Sequence, residues 1–209
     1  MRLFFLGTAA AEGYPAIFCN CDNCNEARAL GGKNLRCRSA MLINDDLLID
    51  FGPDLMAAAQ RFNRNLSRVT TGLVTHAHGD HFDTFNFVMR KAAFTGGVEI
   101  PTMRVFGPQE VTDTLEGMEG DLSLMRIETQ TVHAFDCWQH SGYTFTAYRA
   151  YHAIDTLETL FYSVEDGAHA VLYATDTGPF PEETWQGLAG KTFDVVILEE
   201  TMGWISTCN

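Results

Sequence analysis

The stretch Thr75-His76-Ala77-His78-Gly79-Asp80-His81 decides the fold class of this chain. It begins at the end of a short apolar strand predicted over Leu73-Val74-Thr75, so the polar residues that follow must lie on one tight loop. Imidazole and carboxylate groups are the ligands that suit zinc, iron and manganese. Three histidines and an aspartate at this spacing favour a metal-binding loop over a solvated polar loop with incidental histidines.

The spacing within this loop predicts two metal positions. Alternate residues such as His76 and His78 can reach one ion, while Asp80 and His81 turn toward a second. Gly79 is expected to give the backbone the freedom that such a turn requires. The loop alone therefore predicts a dinuclear centre.

The loop resembles the HxHxDH signature of the metallo-β-lactamase superfamily. Its context is also similar, because a strand precedes it, a helix is predicted after it, and Leu48-Ile49-Asp50-Phe51-Gly52 lies upstream. The resemblance implies an α/β fold, an αββα sandwich of two mixed β-sheets flanked by helices, which could lack its C-terminal strand and helix. It implies a single domain over residues 1–209 and two divalent ions, zinc or manganese or iron, at the active site.

The resemblance also assigns roles outside the loop. His152, after a predicted strand, matches the third histidine of the first metal. Asp176 matches the carboxylate that bridges both metals, and Asp80 and Asp176 are the predicted catalytic residues. Asp50 would orient a metal-bound imidazole. Taken alone, His152 could be a strand-end histidine and Asp176 a turn former before a glycine.

Three of the six cysteines are crowded into Cys19-Asn20-Cys21-Asp22-Asn23-Cys24. In a reducing compartment this spacing favours metal thiolates over disulfides. Three thiolates leave a tetrahedral zinc one ligand short. Cys37 or a ligand from the C-terminal part could complete the site, and free thiols are the alternative. The isolated cysteines, predicted to be packing or surface thiols, are Cys137 and Cys208.

The N-terminal segment is similar to one branch of the superfamily, the PhnP-like branch, which includes the phosphoribosyl cyclic phosphate phosphodiesterase of phosphonate degradation. The branch pattern GT…G.P…C.C..C is matched by Gly7, Thr8, Gly13, Pro15, Cys19, Cys21 and Cys24. In that branch the cysteines hold a structural zinc away from the active site. PqqB, a coenzyme-biosynthesis protein, is similar in the same region, so the exact substrate stays open.

The resemblance runs from Leu6 to Gly203. Superfamily members continue with a last strand, a helix and a late histidine ligand of the second metal. The same region would supply the fourth ligand of the cysteine site and a histidine that protonates the leaving group, and none of these can be assigned to a residue here. Either the chain is truncated, or the second metal position is completed by water or by a neighbouring subunit. The ending carries no capping or turn signal, which favours truncation.

Hydrophobic periodicity and turn residues predict the other elements. Strands are expected over residues 2–6, 40–43, 47–49, 103–106, 131–135, 143–151, 160–164, 170–174 and 195–198, the last of them buried. Helices are expected near Asn23, after Asp54, after Asp83 (reaching Phe94), from Pro108 and over residues 181–188. The histidines without a ligand context, predicted to be surface or structural, are His133, His140 and His169.

Composition limits the partners. The formal net charge is −13 and no Lys/Arg-rich run stands out, which argues against DNA or long RNA. A small anionic substrate is still compatible, because a metal pair reverses the local potential. No stretch approaches the length of a signal sequence or a membrane span, so a cytoplasmic protein without a membrane partner is expected. A homodimer is expected from similar proteins.

These observations lead to one functional hypothesis and its rivals. The hypothesis is a metal-dependent hydrolase, a phosphodiesterase that opens a small cyclic phosphodiester with a metal-bridging hydroxide as the nucleophile. The rivals on the same metals are hydrolases of a lactone, a thioester or an RNA end, and a PqqB-like protein. The rival from another class is a catalytically inactive metal-binding protein.

Overall fold

The computed structural model describes residues 1–118 and 121–200 of the chain. The strands are β1 (Leu3–Gly7), β2 (Ala40–Ile43), β3 (Leu47–Ile49), β4 (Thr71–Leu73), β5 (Met103–Gly107), β6 (Ile127–Thr131), β7 (Cys137–His140), β8 (Tyr143–Arg149), β9 (Leu160–Glu165), β10 (Ala170–Ala174) and β11 (Val195–Leu198). The α-helices are α1 (Asp22–Leu30), α2 (Leu55–Arg61), α3 (Phe85–Val88), α4 (Gln109–Glu116) and α5 (Glu182–Leu188). Two short 3₁₀ turns cover Gly32–Asn34 and Leu122–Met125.

The strands form two mixed sheets. The first sheet has the order β1-β2-β3-β4-β5-β6, antiparallel from β1 to β3 and parallel from β3 to β6. The second has the order β11-β10-β9-β8-β7, antiparallel except for the parallel pair β10–β11. Parallel neighbours need long crossover connections, and here these carry helices α2 to α5.

Residue alternation within the strands explains why the sheets stack. Successive side chains of a strand point to opposite faces, so a strand covered on both sides must be apolar throughout. In β2, Met41 and Ile43 join the core between the sheets, while Leu42 joins the core on the outer face. In β9, Tyr162 points into the inner core and Phe161 into the outer core of the second sheet.

Each outer face is covered by helices. Helices α2, α3 and α4 contribute Leu55, Phe87 and Val111 to the core outside the first sheet. Phe180 and Leu188, before and within the α5 region, pack against the outer face of the second sheet. The result is the predicted four-layer αββα sandwich. In the described part of the chain, no helix is both long and apolar enough to cross a membrane.

Two element predictions were wrong in their bounds, and one strand was not predicted. The strand predicted over residues 131–135 is the end of β6, which stops at Thr131, and Phe135 has a φ of 74° that no strand contains. The helix predicted after Asp83 ends at Val88, so Phe94 lies outside it and is exposed. Strand β7 was not predicted, because only Trp138 in it is a large apolar residue.

Strand β11 lies where it was predicted but is not buried. Val195, Val196 and Leu198 are exposed, because β11 forms an edge of the second sheet in the described part of the chain. Cys208 and the rest of the segment 201–209, including the end of the resemblance at Gly203, lie outside the described residues.

Candidate metal centre

The centre forms where strand ends from both sheets meet. Strands β3 and β4 are parallel, so their carboxyl ends share an edge. Asp50 follows β3 directly, and the histidine loop begins at Thr75, two residues after β4, which ends at Leu73 and not at Thr75 as predicted. From the second sheet, Asp176 follows β10 by two residues. His152 lies three residues after β8, which ends at Arg149 and not at residue 151 as predicted. Side chains distant in sequence therefore reach one place.

Two hydrogen bonds join the sheets just behind the histidine loop. The amide N–H of Leu160, at the start of β9, donates to the carbonyl oxygen of Thr75 at 2.9 Å. The Tyr162 hydroxyl donates to the carbonyl oxygen of Val74 at 2.7 Å. Burial raises the pKa of Tyr162 well above its ordinary value, so this hydroxyl stays a donor. The loop is thereby held against the second sheet.

The histidine loop is a tight turn that is held by hydrogen bonds within the loop and by contacts with the segment that follows β3. The amides of His81 and Phe82 both donate to the carbonyl oxygen of His78, at 3.0 and 2.9 Å. The amide of Phe51 donates to the carbonyl oxygen of His81 at 2.7 Å. A Cβ added to Gly52 would collide with the carbonyl oxygen of Asp80, so only glycine allows this close approach.

The prediction for Gly79 was wrong. Gly79 is not among the glycines with positive φ, and a Cβ added there would meet no heavy atom within 4 Å. Its backbone does not need the freedom of glycine. The glycine that this loop does require is Gly52, which lies under the loop and is needed because it has no Cβ, not because of its backbone angles.

Three imidazole nitrogens form the first ligand group. His76 Nε2 lies 3.0 Å from His78 Nδ1, and His152 Nε2 lies 3.1 Å from the same atom. His76 is fully buried, whereas His78 and His152 are partly exposed. The open side of this group therefore faces solvent, where a substrate could enter.

Asp176 connects this group to a second one. Its Oδ2 lies 2.9 Å from His81 Nε2, 3.5 Å from His76 Nε2 and 3.9 Å from His152 Nε2. The ligand atoms of His76, His81 and Asp176 all lie within 4.8 Å of one another, as do those of His76, His78 and His152. One carboxylate oxygen therefore touches both groups.

Asp80 lies beside the second group without belonging to either triad. Its Oδ2 is 3.3 Å from His81 Nε2. Burial by itself would raise the pKa of Asp80, but the hydrogen bond and charge of His81 outweigh it and lower the pKa to about 2. Asp80 is therefore an ionised carboxylate next to His81.

Asp50 supports the centre from within the protein, as the resemblance implied. It is fully buried, and its Oδ2 lies 2.7 Å from His81 Nδ1. Its Oδ1 accepts hydrogen bonds from the amide and the hydroxyl of Thr75, at 2.9 and 3.0 Å. A carboxylate on Nδ1 leaves Nε2 of His81 directed at Asp176, which is the orientation that a metal ligand needs.

Charges within the cluster separate its histidines into two kinds. Burial, reinforced by the positive charge of His81, lowers the pKa of His76 to about 3, so His76 is neutral. Burial also acts to lower the pKa of His81, but the charge of Asp50 and hydrogen bonds from the surrounding carboxylates raise it to about 12. His81 is the cation that balances these carboxylates in the metal-free chain.

The donor set fits divalent metal ions. Ligand atoms about 2.0 Å from a tetrahedral zinc lie about 3.3 Å from one another. The distances between neighbouring ligand atoms here, from 2.9 to 3.9 Å, are close to that value. Imidazole nitrogen and carboxylate oxygen suit zinc, manganese and iron alike.

The other predicted residues lie apart from this centre. The sulfurs of Cys19, Cys21 and Cys24 lie within 4.8 Å of one another and form a separate thiol group. Cys37 does not join it, because its side chain packs against the core outside the first sheet. Cys137 is exposed, as predicted. The remaining histidines pair with or pack on other groups: His133 with Glu158, His140 on Phe106 and His169 with Asp194.

Sequence reasoning missed two residues of this centre. Thr75 had been assigned only to the end of a strand, yet its hydroxyl contacts Asp50 and lies 3.0 Å from His76 Nδ1. Glu199 accepts a hydrogen bond from the amide of Asp176 at 3.0 Å. One sequence signal could have identified both Thr75 and Glu199, because each is a polar residue at or directly after the end of an apolar strand run.

Several solved structures have folds similar to that of this chain. PqqB from Methylobacterium extorquens, solved with Zn²⁺ bound, has a TM-score of 0.72 at 18% identity over 95% of this chain and 72% of that one. A diphosphatase from the PhnP family has a TM-score of 0.68 at 23% identity over 93% and 71% of the two chains. The short form of human tRNase Z has a TM-score of 0.61 at 20% identity over 94% and 76%. No curated protein sequence matches significantly.

The sequence profile of the β-lactamase superfamily domain matches residues 46–204, a range that contains the histidine loop, His152 and Asp176. The PqqB and PhnP-family neighbours are consistent with the branch that the N-terminal segment resembles. With two mixed sheets between helices and a His/Asp cluster at their shared end, the chain belongs to the β-lactamase superfamily and has the metallo-β-lactamase fold.

Proposed function

We propose that this chain is a metal-dependent hydrolase, and specifically a phosphodiesterase that acts on a small cyclic phosphodiester. One observation carries the proposal, the position of Asp176 Oδ2 between the nitrogen ligands of His76, His81 and His152. A single carboxylate within reach of two ligand groups would allow two ions to be held side by side, as in two-metal hydrolytic sites. The metals would be zinc or manganese, with iron as a further candidate.

The residues would divide between two ions. His76, His78 and His152 would hold the first, Asp80 and His81 the second, and Asp176 both. When bound, such a pair of divalent ions supplies an activated water and positive charge for the oxygens of a reacting phosphoryl group.

The protein's own part is to orient these ligands. Asp50 keeps Nδ1 of His81 occupied, so that Nε2 is the nitrogen offered to the site. Asp80, ionised beside His81, would serve together with Asp176 as a catalytic carboxylate. The partly exposed His78 and His152 line the side from which a small substrate would approach.

The choice of a phosphorus ester rests on similarity. One structural neighbour is a diphosphatase of the PhnP family, and the N-terminal cysteine pattern resembles the same branch. A lactone, a thioester or an RNA end would use the same donor set. The acidic balance of −13 disfavours RNA, because binding along a nucleic-acid backbone needs many basic side chains, whereas a small phosphodiester can be held by the metals alone.

The proposal includes a third metal. The thiols of Cys19, Cys21 and Cys24 would hold a structural zinc with a fourth ligand that none of the described residues supplies. Hydrogen bonding from the backbone of Cys24 lowers the pKa of Cys21, whereas burial raises the pKa of Cys24, so Cys21 is the thiol more readily available as a thiolate for zinc. We further propose that the protein is a cytoplasmic homodimer. It would bind a small substrate and would bind neither DNA nor a membrane. Sedimentation equilibrium tests whether it is a dimer.

Metal counting paired with hydrolysis tests the function. About three metals per chain are expected, two in the centre and one on the cysteines, with turnover of bis(p-nitrophenyl) phosphate and of a cyclic ribose phosphate. His78→Ala and Asp176→Ala should abolish turnover and reduce the metal content, while His169→Ala, on an exposed histidine outside the cluster, should change neither. Unchanged turnover in both cluster variants would rule the site out. Two bound metals without turnover of phosphoesters, thioesters or lactones would favour an inactive metal-binding protein.

A further inference from the structure

The backbone at Asp176 has a conformation that needs support. Its φ is 52°, in the left-handed region of backbone conformation. Aspartate tolerates this region better than most residues, but the conformation is still unfavourable for any residue other than glycine. The residue lies just beyond the end of β10 at Ala174, so it is outside the regular sheet ladder. Its conformation nevertheless decides where its carboxylate lies relative to His76 and His81.

A hydrogen bond from outside this turn holds it. The amide N–H of Asp176 donates to Oε2 of Glu199 at 3.0 Å. Glu199 is itself fixed by the second sheet, because its own amide donates to the carbonyl oxygen of Ala174 at 3.2 Å. That bond continues the parallel pairing of β10 and β11 past their last register pair, Ala174 and Leu198.

The acceptor of this hydrogen bond is the carboxylate of Glu199, and its charge affects the strength of the bond. An amide or a hydroxyl could accept the same N–H without adding negative charge near Asp176. A carboxylate accepts the bond more strongly, because hydrogen bonds to charged groups are shorter and stronger than neutral ones.

From these contacts we infer that Glu199 is a positioning residue, which fixes the backbone of Asp176 so that one carboxylate oxygen reaches both ligand groups. The inference rests on the function proposed above to the extent that Asp176 is assigned to the metals. Strand β11 thereby acts on the centre although none of its residues contributes a predicted ligand. Glu199 is not a catalytic residue in this account, because it acts through the amide of Asp176.

Two variants of similar size separate the hydrogen bond from the space that the side chain fills. Glu199→Gln keeps a carbonyl acceptor, and Glu199→Leu removes it. The Leu variant should lose at least tenfold in affinity for the more weakly bound Mn²⁺ ion in a competition titration, and the exchange-coupled Mn²⁺ EPR signal of two ions sharing a carboxylate should disappear. The Gln variant should retain the coupled signal and most of the affinity. Glu200→Gln, on the adjacent exposed residue, removes the same charge and should behave as the unmodified chain.

A second measurement tests the contact between Glu199 and Asp176 in the metal-free protein, and it does not depend on whether the Glu199→Leu variant folds. In the metal-free protein, the amide proton of Asp176 should be shifted downfield in NMR spectra and protected from exchange, and Glu199→Gln should move it upfield. An amide resonance that does not respond to Glu199→Gln, or a Leu variant that keeps the coupled EPR signal, would overturn the inference. If the unmodified chain binds no Mn²⁺ while the amide responds as expected, the proposed function fails and the positioning contact stands.

Discussion

At the scale of single residues, Gly52 and Gly79 make a matched pair around the histidine loop. A Cβ at Gly52 would collide with the carbonyl oxygen of Asp80, whereas a Cβ at Gly79 would meet nothing. Gly52→Ala should therefore destabilise the fold by about 1–3 kcal/mol and weaken metal binding, because the loop must move. Gly79→Ala should change the free energy of unfolding by no more than about 0.5 kcal/mol. Urea unfolding of the metal-free variants checks both values, and equal losses would contradict the assignment of Gly52.

Asp50 gives a second prediction at this scale. Asp50→Asn keeps the shape of the side chain but removes the charge that faces His81 Nδ1 at 2.7 Å. Loss of such a supporting carboxylate weakens metal binding by about 10–100-fold. Competition with a chromophoric chelator measures the affinity. Asp45→Asn, on the partly exposed turn between β2 and β3 and outside the metal centre, is the control and should bind as the unmodified chain does.

Metal uptake should release a proton from His81. With a pKa of about 12, His81 is protonated at pH 7 in the metal-free chain, and a ligand imidazole must be neutral. His76, with a pKa of about 3, and Asp80, with a pKa of about 2, have already lost their protons and release none. Apparent affinity should therefore rise with pH around neutrality. Calorimetry in two buffers of different ionisation enthalpy should show the released proton, and identical heats in both would contradict the charge state of His81.

At the scale of elements, one of the two hydrogen bonds between β9 and the segment before the histidine loop can be removed by deleting a single atom. Tyr162→Phe removes the hydroxyl that donates to the carbonyl oxygen of Val74 and keeps the ring in the core. Because a buried acceptor loses its partner, the free energy of unfolding should fall by about 1–3 kcal/mol. Tyr151→Phe, at an exposed tyrosine, is the control and should leave stability unchanged. Chemical denaturation with a constant m-value tests the difference.

At the scale of the whole molecule, strand β11, an exposed edge of the second sheet among residues 1–118 and 121–200, should govern self-association. Val196 and Leu198 are 49% and 60% exposed on this edge, and apolar edge strands promote pairing with other chains. Val196→Lys places a charge on the strand and should lower the concentration dependence of light scattering. Lys191→Gln changes charge elsewhere and should not lower it. Equal scattering by Val196→Lys and the unmodified chain would exclude β11 as the contact.

The parts of the fold that local patterns encode were predicted correctly. The strands predicted over residues 40–43 and 47–49 are β2 and β3, an antiparallel pair joined by the turn Asn44-Asp45-Asp46. Such turns need residues that tolerate left-handed backbone, and Asn44 has a φ of 54°. Strands β8 to β10 were recognised by their apolar runs. The failures were at weak signals, a polar strand such as β7 and the end of α3, where tertiary packing decides the outcome.

The sequence by itself determined the donor groups of the candidate metal centre, since three histidines and an aspartate within one short loop must lie close together. It determined the layered fold as well, because strands that are apolar on both faces must be covered on both. Only the tertiary structure decided which oxygen of Asp176 lies between the ligand groups, that Gly52 and not Gly79 makes room for the loop, and that Glu199 holds the amide of Asp176. These are distances between residues far apart in the chain, and they depend on sheet register and strand ends, which no local pattern specifies.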